Sequence, residues 1–205
     1  IVPENVPFDV ASSFMVTYGT TWHALKDRAD LKKGENLVVL GAAGGVGTSA
    51  VEIGKALGAR VIAGASSQEK VDTAKKLGAD DGFVYPPVPL NRDQQKQLSE
   101  DIKRLTGGQG ADVLYDPVGD DYAEPELRAM NWNGRYLVIG FAAGQIPKVP
   151  LNLTLLKGCQ IVGVFWGAMA ARDPQHAKDS MQTLLDMVAA GKLKAYVSER
   201  VPVAK

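Results

Sequence analysis

The sequence predicts an α/β fold built on a doubly wound parallel six-stranded sheet. Three observations predict it. Short apolar runs of strand length alternate with amphipathic helical stretches for roughly 150 residues, with no break in composition. Glycine makes up 22 of the 205 residues, well above the usual ~7%. Many of those glycines stand at the junctions between runs, where the chain must turn tightly or pass close to something.

The opening stretch, to about residue 33, reads as a linking helix. Asn36-Leu37-Val38-Val39-Leu40 is a continuous apolar run, the mark of a strand buried on both faces. It enters Gly41-Ala42-Ala43-Gly44-Gly45-Val46-Gly47, and a helix follows with Val46, Ala50, Ile53 and Leu57 on one stripe. Gly58 ends that helix. Residues 60–65 form a second buried strand. The next helix begins near Ser67, turns Val71, Ala74 and Leu77 inward, and stops at Gly78. Gly82 to Tyr85 reads as a third strand, with Pro86-Pro87-Val88-Pro89 as a stiff connector. Leu98, Ile102 and Leu105 mark a third helix, stopped at Gly107-Gly108. A fourth strand covers 112–116, and Leu127 and Met130 belong to a fourth helix. The fifth strand spans 135–141 and the sixth 160–166, joined by a link with room for one short helical turn. Ala177, Met181, Leu184 and Val188 line a long last helix closed by Gly191. No internal repeat or low-complexity tract interrupts the pattern.

Several classes of function are excluded at this level. Twenty-three basic and 23 acidic residues cancel, which argues against a nucleic-acid surface or a polybasic membrane patch. No apolar run approaches the ~18–20 residues of a membrane span. No basic segment leads into an apolar leader either, so a cytoplasmic location is expected. The single cysteine, Cys159, excludes an internal disulfide. His23 and His176 are the two histidines, too few for a histidine metal cluster, and no metal is expected. Both read as solvated or packing residues. The chain opens at Ile1 rather than Met and runs out at Lys205, so both ends read as cut.

In doubly wound sheets ligands bind beyond the carboxyl ends of the strands, where the strand order switches. The first such end carries the most information. Ala42 to Gly47 is G-x-G-x-x-G with alanine in the first place. Gly44 lets the backbone approach a pyrophosphate, and Gly47 lets the helix pack closely on the strand. Ala43, Gly44, Gly45, Val46 and Gly47 bring the free N–H groups of a helix start to the phosphates. A tight turn without a ligand is the plain alternative. Because the pattern follows a strand, opens a helix and begins a strand–helix–strand unit, it predicts dinucleotide binding on a Rossmann fold.

The second strand end selects the cofactor. A site for an unphosphorylated ribose places Asp or Glu about 20 residues on. This chain has Ser66 and Ser67 there, with Lys70 one helical turn later. Two hydroxyls and a cation suit a 2′-phosphate, so NADPH is expected rather than NADH. The plainer roles are a helix cap for Ser67 and a solvated side chain for Lys70. Glu69 is expected to point to solvent.

These residues carry a resemblance. Val16 to Leu25, then Leu31-Lys32-Lys33-Gly34-Glu35 and the Gly-Ala-Ala-Gly-Gly-Val-Gly turn, resemble the medium-chain dehydrogenase/reductase superfamily. Lys76 to Asp80, Tyr115-Asp116-Pro117-Val118-Gly119 and Gly134 to Gly140 extend the match. It is closest to the zinc-free NADPH:quinone oxidoreductases, the zeta-crystallin-like branch. Val16 stands where zinc-containing relatives have a cysteine ligand. The resemblance implies that residues 1–205 are one dinucleotide-binding domain, without the family's N-terminal catalytic domain and C-terminal returning segment. It further implies that Thr20 contacts the cofactor, that Tyr85 lies beside the adenine, and that Val118, Phe141, Phe165, Trp166 and Gly167 surround the nicotinamide.

The implied activity is hydride transfer from NADPH to a quinone or an α,β-unsaturated carbonyl, a small-molecule substrate. No residue in the chain stands out as a general acid, and the fragment alone is expected to be inactive. An enoyl- or acryloyl-thioester reductase and a non-catalytic nucleotide-binding relative remain alternatives. The sixth strand, Gln160 to Trp166, is apolar, carries no proline or lysine, and is expected at a sheet edge. A homodimer through that edge is expected, as in the family.

Overall fold

The apolar runs fold into six strands: β1 (Asn36–Val39), β2 (Arg60–Ala65), β3 (Asp81–Val84), β4 (Ala111–Asp116), β5 (Met130–Val138) and β6 (Gln160–Gly163). In the computed structural model, which describes residues 2–201, they form one parallel sheet ordered β3-β2-β1-β4-β5-β6. The chain therefore builds outward from β1 on one side, then returns to build outward on the other. That reversal puts the topological switch between β1 and β4. Ile1, the start of the expected linking segment, lies outside the described residues.

Among the described residues, eight α-helices cover the two faces: α1 (Phe8–Trp22), α2 (Gly45–Ala56), α3 (Gln68–Lys76), α4 (Arg92–Leu105), α5 (Ala123–Arg128), α6 (Asn152–Lys157), α7 (Trp166–Arg172) and α8 (Pro174–Ala189). Period-two alternation along β1 and into Leu40 divides the core. Leu37 and Val39 pack with Phe14, Ile53 and Leu184 under α1, α2 and α8. Val38 and Leu40 face the other way, onto Leu98, Ile102 and Leu127 under α4 and α5. All four are fully buried, as a strand covered on both faces requires. Among the described residues no helix is long and apolar enough to cross a membrane.

Three boundaries differ from the sequence expectation by more than one residue. Met130 belongs to β5, not to a helix: it pairs with Ala111 before the register shifts to Val113–Arg135. The residues between bulge out, and Asn133 takes a left-handed φ of 60° there, a conformation asparagine tolerates. At the far end, β5 stops at Val138, so Ile139 to Phe141 form a loop held by Ile139 N–H donating to Asp116 O. β6 stops at Gly163, and Trp166 opens α7. The apolar run 164–166 imitates a strand because Trp166 packs its indole on Gly19 of α1, not along the sheet. β6 does occupy an edge, as expected.

The linking segment ends α1 in a π-helical turn, His23–Arg28. Arg135 on β5 fastens the chain between that turn and β1. Its guanidinium donates to Ala29 O (2.9 Å) and grips Glu35 with both ends, at 2.7 and 2.9 Å.

Candidate functional site

The glycine turn leaves β1 and feeds α2 without a side-chain cap at Gly44. The first N–H groups of α2 therefore have no intrahelical acceptor and face outward at the switch point. Gly47 makes this possible. A Cβ there would sit 2.0 Å from Gly41 O and 2.8 Å from Ala42 Cα, so only glycine lets α2 start so close to β1.

A cleft of about 460 Å³ opens at this point. Ala43, Gly44, Gly45 and Val46 form its floor, and Ser66 and Lys70 close one end beyond β2. Tyr85 and Val118 line the walls, so these sequence-predicted residues are brought together in one place. Gly47 lies just behind, buried against the strand. A depression of similar volume between α4 and α5 is lined by those helices' surface side chains and lies at no strand's carboxyl end.

The chemistry of the cleft suits an anionic dinucleotide. Its lining contains no carboxylate and one cation, Lys70. The Lys70 ammonium donates to Ser66 Oγ at 2.9 Å, so hydroxyl and charge converge beyond the end of β2. Ser67 instead caps α3, accepting the Lys70 backbone N–H at 3.4 Å, and does not line the cleft. Tyr85 stacks at a tilt on Tyr122, ring centroids 4.9 Å apart. Burial, followed by the neighbouring Tyr122, pushes the Tyr85 phenol up to about 12, so it offers an uncharged aromatic wall. Tyr122 donates to Pro86 O at 2.7 Å, which fixes that wall to the proline connector.

Asp116, at the end of β4, shapes the next turn. It accepts N–H groups from Val118 (2.7 Å) and Gly119 (2.9 Å) and the Tyr136 hydroxyl. Burial raises its pKa while those three donors oppose the rise.

Other predicted residues fall outside the cleft lining. Thr20 is half-buried on α1, whereas its neighbour Thr21 is fully buried and bonds Ser49 Oγ (2.7 Å) and Tyr115 OH (2.8 Å). That trio fastens α1 to α2 and β4 behind the glycine turn. Phe141 and Phe165 are exposed, Gly167 is exposed at the start of α7, and Trp166 covers Gly19. Pro117, Tyr122, Ala142 and Ala143 also line the cleft, though the sequence assigns none of them a role. The two histidines also do more than expected. His23 Nδ1 and His176 Nε2 both bond Asp27 Oδ2 at 2.8 Å, tying the π-helical turn to the start of α8. Hydrogen bonding to Asp27 holds the His176 pKa above its ordinary value. Among the described residues no group of three or more His, Cys, Asp or Glu side chains could hold a metal ion.

Strand order, glycine turn and carboxylate-free cleft together define a dinucleotide-binding domain of the Rossmann type. Residues 45–190 match the family model described as zinc-binding dehydrogenase, and the chain belongs to that family. It is 35% identical over 199 residues to the quinone oxidoreductase-like protein 2 homolog of Nematostella vectensis, covering 96% of this chain and 52% of that protein. The chain thus spans about half the length of that curated relative. Among solved structures, a mycobacterial protein complexed with NADPH superposes with a TM-score of 0.84 at 27% identity, over 94% of this chain and 57% of its own. The nucleotide-binding subdomain of the enoylreductase domain of PpsC from Mycobacterium tuberculosis superposes with a TM-score of 0.71 at 26% identity, over 89% of this chain and 98% of its own.

Proposed function

We propose that this domain binds NADPH at the β1–β4 switch and presents it for hydride transfer to a quinone or an α,β-unsaturated carbonyl. The observation that carries this reading is the Ser66–Lys70 pair at one end of a cleft without carboxylates, opposite the uncapped start of α2. Bound there, the cofactor supplies the hydride. The chain's own groups bind and orient. The N–H groups of Gly45 and Val46 face the pyrophosphate, and Ser66 with Lys70 takes the 2′-phosphate. Tyr85 and Tyr122 flank the adenine. Val118, Ala142 and Ala143 would lead toward the nicotinamide, and Phe141, Phe165, Trp166 and Gly167 are proposed around it although none of the four lines the cleft.

The cleft lining offers no carboxyl or imidazole group to protonate a substrate, so this reading places the substrate-side groups outside this chain. Robust quinone reduction by the purified 205-residue chain would contradict that division of labour. The reaction is proposed to be zinc-free, and stoichiometric zinc surviving dialysis of the full-length protein would refute this. A second reading, thioester reduction, is favoured by the likeness to an enoylreductase subdomain. Full-length protein assayed with simple quinones and with enoyl thioesters, NADPH consumption being read in both, separates the two. Turnover of neither would favour a non-catalytic nucleotide-binding role. The domain is further proposed to dimerise through the β6 edge, where Gln160 and Ile161 are exposed.

A further inference from the structure

Behind the cleft wall lies a carboxyl group that the proposed reaction does not use. Glu126 on α5 is completely buried, and neither of its oxygens has a hydrogen-bond partner. Its helix neighbours behave as surface residues: Glu124 and Arg128 pair with each other at 2.6 Å. Glu126 instead faces inward, toward Asp116 from β4 and Tyr136 from β5. Tyr122 and Tyr85 are the further titratable groups that feel its charge, and none of the four is a cation. An unpaired carboxylate in such a place is strongly disfavoured, so the group keeps its proton rather than its charge.

Asp116 is the natural seat of the cluster's single negative charge, because three donors are directed at it. It receives the Tyr136 hydroxyl and the N–H groups of Val118 and Gly119. Those two N–H bonds set the turn whose Pro117 and Val118 line the cofactor cleft. A second charge on Glu126 would repel Asp116, with no cation among these neighbours to offset it. Relief would come by displacing Asp116, and with it the cleft wall.

We propose that Glu126 is a positioning residue carried as the uncharged acid, whose proton keeps the Asp116–Gly119 turn in the shape that binds the cofactor. The coupling rests on the NADPH reading of that cleft, and the test keeps the two separable. NADPH is titrated into the purified chain across neutral to alkaline pH, for wild type and Glu126→Gln. In wild type the Kd rises as Glu126 ionises, approaching about tenfold per pH unit for one linked proton. E126Q lacks that limb and retains only the dependence that the cofactor's own phosphate gives both proteins.

Melting without cofactor supplies an independent arm. Burial holds Glu126 well above the ordinary carboxyl value, so the folded state binds its proton more tightly than the unfolded one. Stability is therefore lost as pH rises from the ordinary value toward the raised one. E126Q should melt higher than wild type, by a margin that widens with pH. Glu126→Leu, equally uncharged, should do the same and serves if the glutamine variant folds poorly. Identical pH slopes in Kd, or a melting margin that does not grow with pH, would overturn the proposal. A chain that binds NADPH at no pH would overturn the cofactor reading, while the melting arm would still decide whether Glu126 holds its proton.

Discussion

Replacing Gly47 with alanine should damage cofactor binding more than its size suggests. The added Cβ would lie 2.0 Å from Gly41 O, a backbone atom at the end of β1 that cannot swing away. Ordinary contact begins at 3.4 Å, so α2 must back off by roughly 1.4 Å or the strand end must bend. Either movement disturbs Ala50, Val51 and Ile53, the fully buried face of α2. Overpacking of this kind costs about 1–3 kcal/mol, and each kcal/mol lowers Tm by roughly 2–4 °C in a chain of this size. The same shift carries the α2 N–H groups away from the pyrophosphate. A charge-assisted hydrogen bond is worth about 1.5–3 kcal/mol, so losing one weakens NADPH about tenfold or more. Gly163→Ala is the control, since a Cβ there meets nothing within 4 Å. Calorimetric titration and thermal melts of both variants, beside wild type, measure the two effects. Undiminished NADPH affinity in G47A would refute the idea that close helix–strand approach builds the site.

Thr21→Val should lower stability by roughly 1–3 kcal/mol, because it strips a partner from the buried Ser49 and Tyr115 hydroxyls; denaturant unfolding reads this directly. Burial pushes the Glu35 carboxyl up, but the Arg135 fork and the Lys32 N–H outweigh it and leave the pKa below its ordinary value. Stability from that group is present above the ordinary carboxyl range and lost as pH falls through the lowered value. Glu35→Gln should therefore be less stable than wild type near neutral pH, with a gap that closes on acidification. Ile161→Lys should split a dimer built on the β6 edge, seen as a halved mass by light scattering across a dilution series.

The doubly wound parallel sheet was legible because each buried run announces itself locally, and right-handed crossovers leave few ways to arrange six parallel strands. The meeting of Gly44, Ser66 and Lys70 in one cleft, with Gly47 behind it, was legible for a related reason: it follows from short-range geometry at strand ends. Tyr122 was hidden because it reaches the cleft from beyond the strand end, and Ala142 and Ala143 lie in a strand-end stretch, Gly140 to Gly144, whose small side chains suggest no individual role. Glu126 was hidden more deeply. In sequence it stands between ordinary surface charges, and only the packing of α5 against β4 and β5 shows that it is buried. Trp166 misled the reading because an aromatic at the end of an apolar run serves a strand or a helix start equally well.

The most direct test of the cofactor reading is a calorimetric comparison of NADPH and NADH on the purified chain, repeated with Ser66→Asp and Lys70→Ala. The Ser66–Lys70 pair at the end of β2 should make NADPH at least about tenfold tighter, since one charge-assisted hydrogen bond to the 2′-phosphate supplies that much. Lys70→Ala should remove most of the difference, and S66D should reverse it by placing a carboxylate against the phosphate. Equal affinity for the two cofactors in wild type, or a preference untouched by both substitutions, would contradict it.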